Sequence, residues 1–257
     1  MLTRLKNDEI ERLQNVICAQ TGFNVRVSAL LKAYGCNQTF FNVWHNNFDT
    51  VLARLESNLF ICEGENADFE EIAFFLDFNP YFRCISGKTD VINKIAVHLT
   101  GEYERRHFDF LTWHAGGSCF CVRNVIDAAP SLRDIYSVMD AAKNDDFTIG
   151  DFTPWYTDIA HRIRHGCARA YLLKSEGLPA SICLISAETG SEGLLSGIAT
   201  SPQFRGHGFA AAVLKRACQD LDDCGKLPVL ECLPSLTRYY IKQGFEKLGD
   251  VEELNIL

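Results

Sequence analysis

The chain has 257 residues, 47% of them apolar and 23% charged, enough for one large domain or two of ordinary size around a real core. Its formal net charge is −8, and neither the part before Ile126 nor the part after it is basic. That balance argues against non-specific nucleic-acid binding and leaves room only for a local polyanion pocket. The opening stretch MLTRLKNDEIERLQ lacks the apolar centre of a secretory signal. Apolar runs such as IAFFL are too short to cross a bilayer. The eleven cysteines are odd in number and contain no C-x-x-C pair, and Cys119 and Cys121 stand too close to clamp zinc with its usual spacing. Reduced, mostly buried thiols in a cytoplasmic protein, with no membrane or nucleic-acid partner and no metal, are expected.

In chain order, residues 7–20 fit an amphipathic helix with Ile10, Leu13, Val16 and Ile17 on one side, capped by Asn7 or Asp8 and closed near Gly22. A helix is expected over 48–56. LFICEG (59–64) reads as a strand, FEEIAFFLDF as a helix, YFRCIS as a strand and DVINKIAVHL as a helix, a strand-helix-strand-helix order. FLTWH and residues 120–127 look extended. SLRDIYSVMDAA and residues 151–165 read as helices. ARAYLL and ASICLIS read as strands joined by the turn Ser175-Glu176-Gly177-Leu178-Pro179. A second turn leads into the strand LLSGIAT, and a helix follows from Gly208 to about Asp222. PVLECL is a strand, SLTRYYIKQ a short helix, and the remainder a strand or strand pair. No low-complexity stretch and no Pro/Gly/Ser linker marks a boundary, and the division is placed at about residues 112–126, giving units of 1–118 and 119–257.

The most informative stretch is SGIATSPQFRGHGFA (196–210), where a strand ends in a turn with two glycines before an alanine-rich helix. Small residues there bare the backbone N–H groups, and the helix behind adds its unpaired first-turn donors and positive dipole end. The combination suits a phosphate or pyrophosphate. It is not a P-loop: Ser86-Gly87-Lys88-Thr89 mimics the end of one, but Phe82 stands where the first glycine is required. It is a poor dinucleotide fingerprint. Ala211 is tolerated and Glu231 lies downstream, but the turn comes late, after hairpins, rather than in the first strand-turn-helix unit.

GIATSPQFRGHGFA resembles motif A of the GNAT superfamily of acyl-CoA N-acyltransferases, [Q/R]-x-x-G-x-[G/A], read as Arg205-x-x-Gly208-x-Ala210, with Gln203-x-x-Gly206-x-Gly208 as a second register. Tyr240-Ile-Lys-Gln-Gly244-Phe245 resembles the family's late Y-x-x-x-G-F element. The resemblance covers about residues 120–257. It implies an α/β (α+β) GNAT fold with a mixed, mostly antiparallel central sheet flanked by helices. The first half is then either a degenerate copy of that fold or an unrelated α/β extension.

The resemblance also implies chemistry: transfer of an acetyl group from acetyl-CoA to a primary amine of a small molecule or amino acid. A protein or peptide N-acetyltransferase and a non-catalytic coenzyme A-binding sensor are the alternatives, in a monomer or homodimer. Backbone from Arg205 through Gly206, His207, Gly208, Phe209 and Ala210 is expected on the pyrophosphate, and Ile198, Ala199 and Thr200 beside the pantetheine arm, with Gly197 marking a bulge. Tyr240 matches the general acid for the leaving thiolate. A tyrosine near 10 donating to a thiol near 8.5 works uphill by roughly 2 kcal/mol, a gap that a dry site narrows. The motif A strand has no carboxylate base, so Glu231 is the local candidate, acting through water. Leu233 replaces the family's usual asparagine, with Ser235 as a helix cap or substitute. Trp155 and Tyr156 are expected to wall the acceptor, with Phe152 beside them and Asp151 or Asp158 facing a cation. His161 and His165, four apart on a helix, lack an evident third metal ligand.

Overall fold

The structure, a computed structural model, describes residues 1–18, 22–79, 81–114 and 125–257. Cys119, Cys121 and the expected cut at 118/119 lie outside the described residues. The first half runs β1 (Thr3–Arg4), α1 (Ile10–Cys18), α2 (Val25–Tyr34), β2 (Phe41–Asn46), β3 (Thr50–Leu55), β4 (Asn58–Cys62), α3 (Phe69–Asp77), β5 (Cys84–Lys88), α4 (Thr89–Ala96) and β6 (Tyr103–Trp113). The second runs β7 (Ile126–Asp127), α5 (Leu132–Ala142), α6 (Phe152–Arg164), β8 (Arg169–Ser175), β9 (Leu178–Glu188), β10 (Glu192–Thr200), α7 (Phe209–Asp222), β11 (Leu227–Cys232), α8 (Pro234–Lys242) and β12 (Phe245–Ile256). The mixed α/β architecture is the expected one. No helix among the described residues is long and apolar enough to cross a membrane.

The helix expected over 48–56 is a strand. Asn47 and Phe48 have φ of 47° and 62° and turn the chain back, so β3 pairs antiparallel with β2 on one side and β4 on the other. The apolar residues of TVLARL suggested a helix, but cross-strand pairing decides in favour of the strand. The α2 helix was not legible for the opposite reason. Val25, Val27, Ser28, Ala29, Leu30, Leu31 and Ala33 are all buried, so no polar face marks its period. The tail is one twelve-residue strand, β12, rather than a pair.

Two compact units result, and neither is contiguous. The first comprises Met1–Phe110, Glu231–Thr237 and Lys247–Leu257; the second comprises Leu111–Leu230 and Arg238–Glu246. In the first, strands run in the order β1-β2-β3-β4-β5-β12-β6. β4 and β5 are parallel across α3, and the far end of β12 pairs antiparallel with β5. One face packs Leu52, Ile61, Ile85 and Leu254 against Ile72, Leu76, Val91 and Ile95 of α3 and α4.

In the second unit the order is β6-β11-β10-β9-β8-β7, with β10 and β11 parallel across α7. Ala170, Leu172, Ile182 and Leu184 face Ile135, Val138 and Met139 of α5. The alternate residues of β8 and β9 take the opposite face, where α7 packs. The end of β6 is tied into this unit by Thr112 Oγ1 donating to the Pro228 carbonyl (3.4 Å) and Trp113 Nε1 donating to the Gln243 carbonyl (3.1 Å).

Glu188, at the end of β9, is a buried charge of the second unit. Arg169 holds it through two bonds of 2.6 and 2.8 Å and Lys226 through one of 2.6 Å. Burial pushes its carboxyl up, but these bonds outweigh burial and leave it below the usual glutamate range. Glu188→Gln should therefore cost about 3 kcal/mol in urea unfolding at neutral pH, because two cations are left facing a neutral amide. Because the folded carboxyl titrates low, the wild-type advantage should be complete above the ordinary glutamate pKa and vanish as pH falls through the depressed one.

Candidate functional site

The site begins where β10 breaks its ladder. Residues 192–195 run parallel with 227–230 of β11 and antiparallel with β9. The register against β9 then slips between Ser196 and Ala199, at Gly197 with φ of 54°. Beyond the slip, Ala199 and Thr200 continue opposite Ile182 and Ser181 of β9. Ser181 pins this end: its hydroxyl donates to the Ala199 carbonyl (3.0 Å) and lies 2.8 Å from Thr200 Oγ1. Ile198 sits within the bulge, half-buried.

A short 3-10 turn, Pro202–Phe204, leads out of the strand. Gly206 and Gly208 follow with φ of 82° and 76°, and a β carbon on either would meet nothing within 4 Å. Glycine is therefore required there by backbone conformation and leaves the surface bare, not by crowding. The first bond of the α7 ladder runs from the Ala212 N–H to the Gly208 carbonyl (3.1 Å). The N–H groups of Phe209, Ala210 and Ala211 precede that ladder, at the positive end of a fourteen-residue helix.

His207 does not point away from this loop. Its Nδ1 lies 2.9 Å from the Arg205 carbonyl and 3.3 Å from that of Phe204. Since both are acceptors, Nδ1 carries the proton. The ring also stacks on Phe209 at 5.5 Å. Arg205 Nε donates to the Thr200 carbonyl (3.4 Å), fixing the guanidinium stem against the strand end.

These pieces wall a cleft of about 470 Å³ lined by Thr200, Phe204, Arg205, Gly206, Gly208, Phe209, Ala210 and Ala211, and by Tyr239 and Gln243 from α8. Six of the residues read from the sequence as cofactor contacts thus meet in one cavity. Phe204, Ala211, Tyr239 and Gln243 were missed, although Tyr239 immediately precedes the late motif and Gln243 lies in it. The Tyr239 ring lines the cleft, while its hydroxyl is buried without a hydrogen-bond partner and burial pushes it above the usual phenol range. Tyr240 is 7% exposed, with its ring edge-on to Tyr239 (5.1 Å) and Phe245 (5.8 Å).

The remaining candidates lie elsewhere. Glu231 belongs to the first unit, where its carboxylate accepts from Arg26 Nη2 at 2.9 Å. Trp155 packs on the α5 core, and Tyr156 is 43% exposed. These two, Phe152 and Tyr136 form an aromatic group with centroid spacings of 5.1–5.4 Å. Asp158 is bound by Arg162 four residues on. His161 and His165 stack at 4.0 Å, with His165 Nδ1 on the His161 carbonyl (2.9 Å). His107, Asp109 and Asp250 bring ligand atoms within 4.8 Å of one another. However, Lys247 Nζ stands 2.8 Å from Asp109 and 2.6 Å from Asp250, supplying that cluster's cation.

Residues 132–245 match the family model for the acetyltransferase (GNAT) family. Among curated proteins no match was found. Solved structures resemble the whole chain. A Drosophila protein is 9% identical, with 100% of this chain and 98% of that one covered and a TM-score of 0.71. A GCN5-related N-acetyltransferase from Sphaerobacter thermophilus is 12% identical over 100% and 95%, with a TM-score of 0.64. A tandem GNAT protein from the clavulanic acid biosynthesis pathway is 10% identical over 100% and 98%, with a TM-score of 0.62. At these identities the likeness is one of fold.

The three positive-φ glycines of the site make a graded test. Gly206→Ala and Gly208→Ala meet no atoms and should each cost only the left-handed conformation, about 1 kcal/mol. Gly197→Ala adds a contact of 3.1 Å with Leu184 and should cost more than either. Urea unfolding of the three variants checks that order.

Proposed function

We propose that the chain, whose residues 132–245 match the acetyltransferase (GNAT) family model, transfers an acetyl group from acetyl-CoA to a primary amine of a small molecule or amino acid. The observation that carries this reading is the loop at 205–211. Two open, positive-φ glycines there run into a helix start whose N–H groups border the cleft. A pyrophosphate suits such a donor set, because the helix end and Arg205 favour negative charge and no side chain blocks its approach. The apolar walls at Phe204, Phe209 and Ala211 suit the less polar remainder of the cofactor. Held at its far end, the thioester is positioned by binding energy that the reacting atoms need not supply.

Backbone N–H groups at the broken end of β10, near Ile198, Ala199 and Thr200, would polarise the thioester carbonyl. Tyr240 would give its proton to the departing thiolate from a dry setting, where an ionised sulfur is least stable. Trp155 and Tyr156 would contribute to the acceptor side.

The first half fits a copy of the same fold that has lost its phosphate site. Both halves run helix-helix, three strands, helix, strand, helix, strand, and the tandem GNAT protein is similar over its whole length. In the first half, though, the turn before the crossover helix is acidic. Asp68 accepts from the Glu71 N–H (2.9 Å) and Asp49 from the Asn66 N–H (3.0 Å). Carboxylates already occupy the donors that an anion would need.

Acetyl-CoA at 100 times its Kd should stabilise the protein by about 2.7 kcal/mol, read as a rise in Tm; no shift at millimolar concentration would remove the cofactor assignment. With an acceptor in hand, Tyr240→Phe should lower kcat more than about tenfold with little change in KM. Tyr239→Phe removes an unpartnered hydroxyl and should leave kcat intact and stability unchanged or slightly raised. The reverse pattern would make Tyr239 the acid.

A further inference from the structure

Two strands of the first unit bring one nitrogen and two oxygen ligands to a single point. Alternate residues of a strand share a face, so Arg105, His107 and Asp109 of β6 line up on one side. β12 is the neighbouring strand, and its Glu252 and Asp250 answer them. Arg105 pairs with Glu252 at 3.1 Å and also meets Asn93 at 2.7 Å. Further along, His107 Nε2 lies 3.0 Å from Asp250 Oδ1 and 3.6 Å from Asp109 Oδ1. All three ligand atoms fall within 4.8 Å of one another. Ligands held at about 2.0–2.1 Å around a tetrahedral zinc ion stand about 3.3 Å apart. The spacings here need only small adjustments to close on such an ion.

The inner ligand is oriented and the outer two are accessible. Asp109 is 5% exposed, and Thr237 Oγ1 from α8 donates to its Oδ2, leaving Oδ1 to face His107 and Asp250. The His107 side chain is 43% exposed and that of Asp250 40%. An ion therefore has a path from solvent, and water has room to complete its shell.

Lys247 is the resident cation. Its Nζ lies 2.8 Å from Asp109 Oδ1 and 2.6 Å from Asp250 Oδ1, the same two oxygens that approach His107. It holds together two carboxylates that would otherwise repel, so the ligand set is shaped before an ion arrives. Its grip is weak, because the side chain is 42% exposed, its stem is flexible, and exposed ion pairs contribute little. Two carboxylates against one ammonium leave a negative charge in excess, and a divalent ion in place of the ammonium balances both.

We propose that His107, Asp109 and Asp250 bind a divalent transition-metal ion of the zinc class, with Lys247 swinging out to solvent as the ion enters. The imidazole selects for such an ion over magnesium or calcium, which take oxygen ligands. Ligands from both strands clip β12 to β6 within the first unit, so the metal's role is structural. The site shares no residue with the cofactor cleft and does not depend on the transferase reading.

The test titrates the metal-free full chain with Zn2+ against a chromophoric chelator, and with Co2+ as a spectroscopic probe. One equivalent of zinc should bind with a Kd of about 10 μM or tighter, and calcium about 100-fold more weakly or worse. Bound Co2+ should show visible d–d bands without the near-ultraviolet charge-transfer band of a cobalt–thiolate bond, which separates this site from the cysteines. H107A and D250N, folded by circular dichroism, should each weaken zinc about tenfold or more and abolish the rise in Tm that zinc gives the wild type. K247Q should tighten zinc about threefold, because the competing cation is gone. The proposal is overturned if zinc does not bind at about 100 μM, if the cobalt spectrum is that of a thiolate site, if H107A and D250N bind like wild type, or if K247Q does not tighten binding. No acyl-CoA is present, so this result is independent of the acetyl-CoA shift that tests the transferase reading.

Discussion

At Gly193 a β carbon would stand 2.5 Å from Leu221 Cδ2, a distance that no real packing allows. The absence of a side chain there lets α7 lie close against β10, and the rest of the second unit's site inherits its position from that contact. With the helix held close at its far end, its start is brought round to the end of the strand it follows. Only a tight turn can join the two. Gly206 and Gly208 adopt left-handed backbone to make it, and Gly197 breaks the ladder just upstream. Three glycines act by conformation and one by lack of bulk, and together they turn a parallel crossover into a turn of bare backbone at a helix start.

The same crossover occurs twice in the chain with opposite electrostatics. After β10, the turn presents Arg205 and two glycines to open space. After β4, it presents Glu65 and Asp68, and Asp68 together with Asp49 from the β2–β3 turn accepts from backbone N–H groups near the start of α3. Fold and anion site are therefore separable. The sheet and helix order can persist while a few carboxylates remove the reason for a phosphate to bind.

The units also exchange chain. β12 belongs mostly to the first unit, and the end of β6 to the second. Glu231 comes from the second half of the sequence, yet its partner Arg26 comes from the first. The exchange assembles groups that a reading by halves keeps apart.

Local chemistry along the chain marked out what depends on near neighbours. The capped amphipathic helices, the turn at Gly177, the strand-turn-helix at 196–210 and the motif ending in Gly244-Phe245 each depend on a few adjacent residues, so their patterns were legible. Six of the ten residues lining the cleft were singled out for the same reason. What depended on partners distant in sequence was not. Residues 50–55 are a strand because β2 and β4 flank them, and α2 is a helix buried at seven of its ten positions, with no continuous polar stripe to betray it. The Tyr239 ring lines the cleft while its neighbour Tyr240 packs against Phe245, a matter of how α8 is rotated. Glu231 looked like a lone carboxylate until Arg26, 205 residues away in sequence, was found bonded to it. The sequence by itself determined which backbone could be bared to an anion; the tertiary structure decided which charges meet, because charges separated in the chain acquire partners only when strands pair.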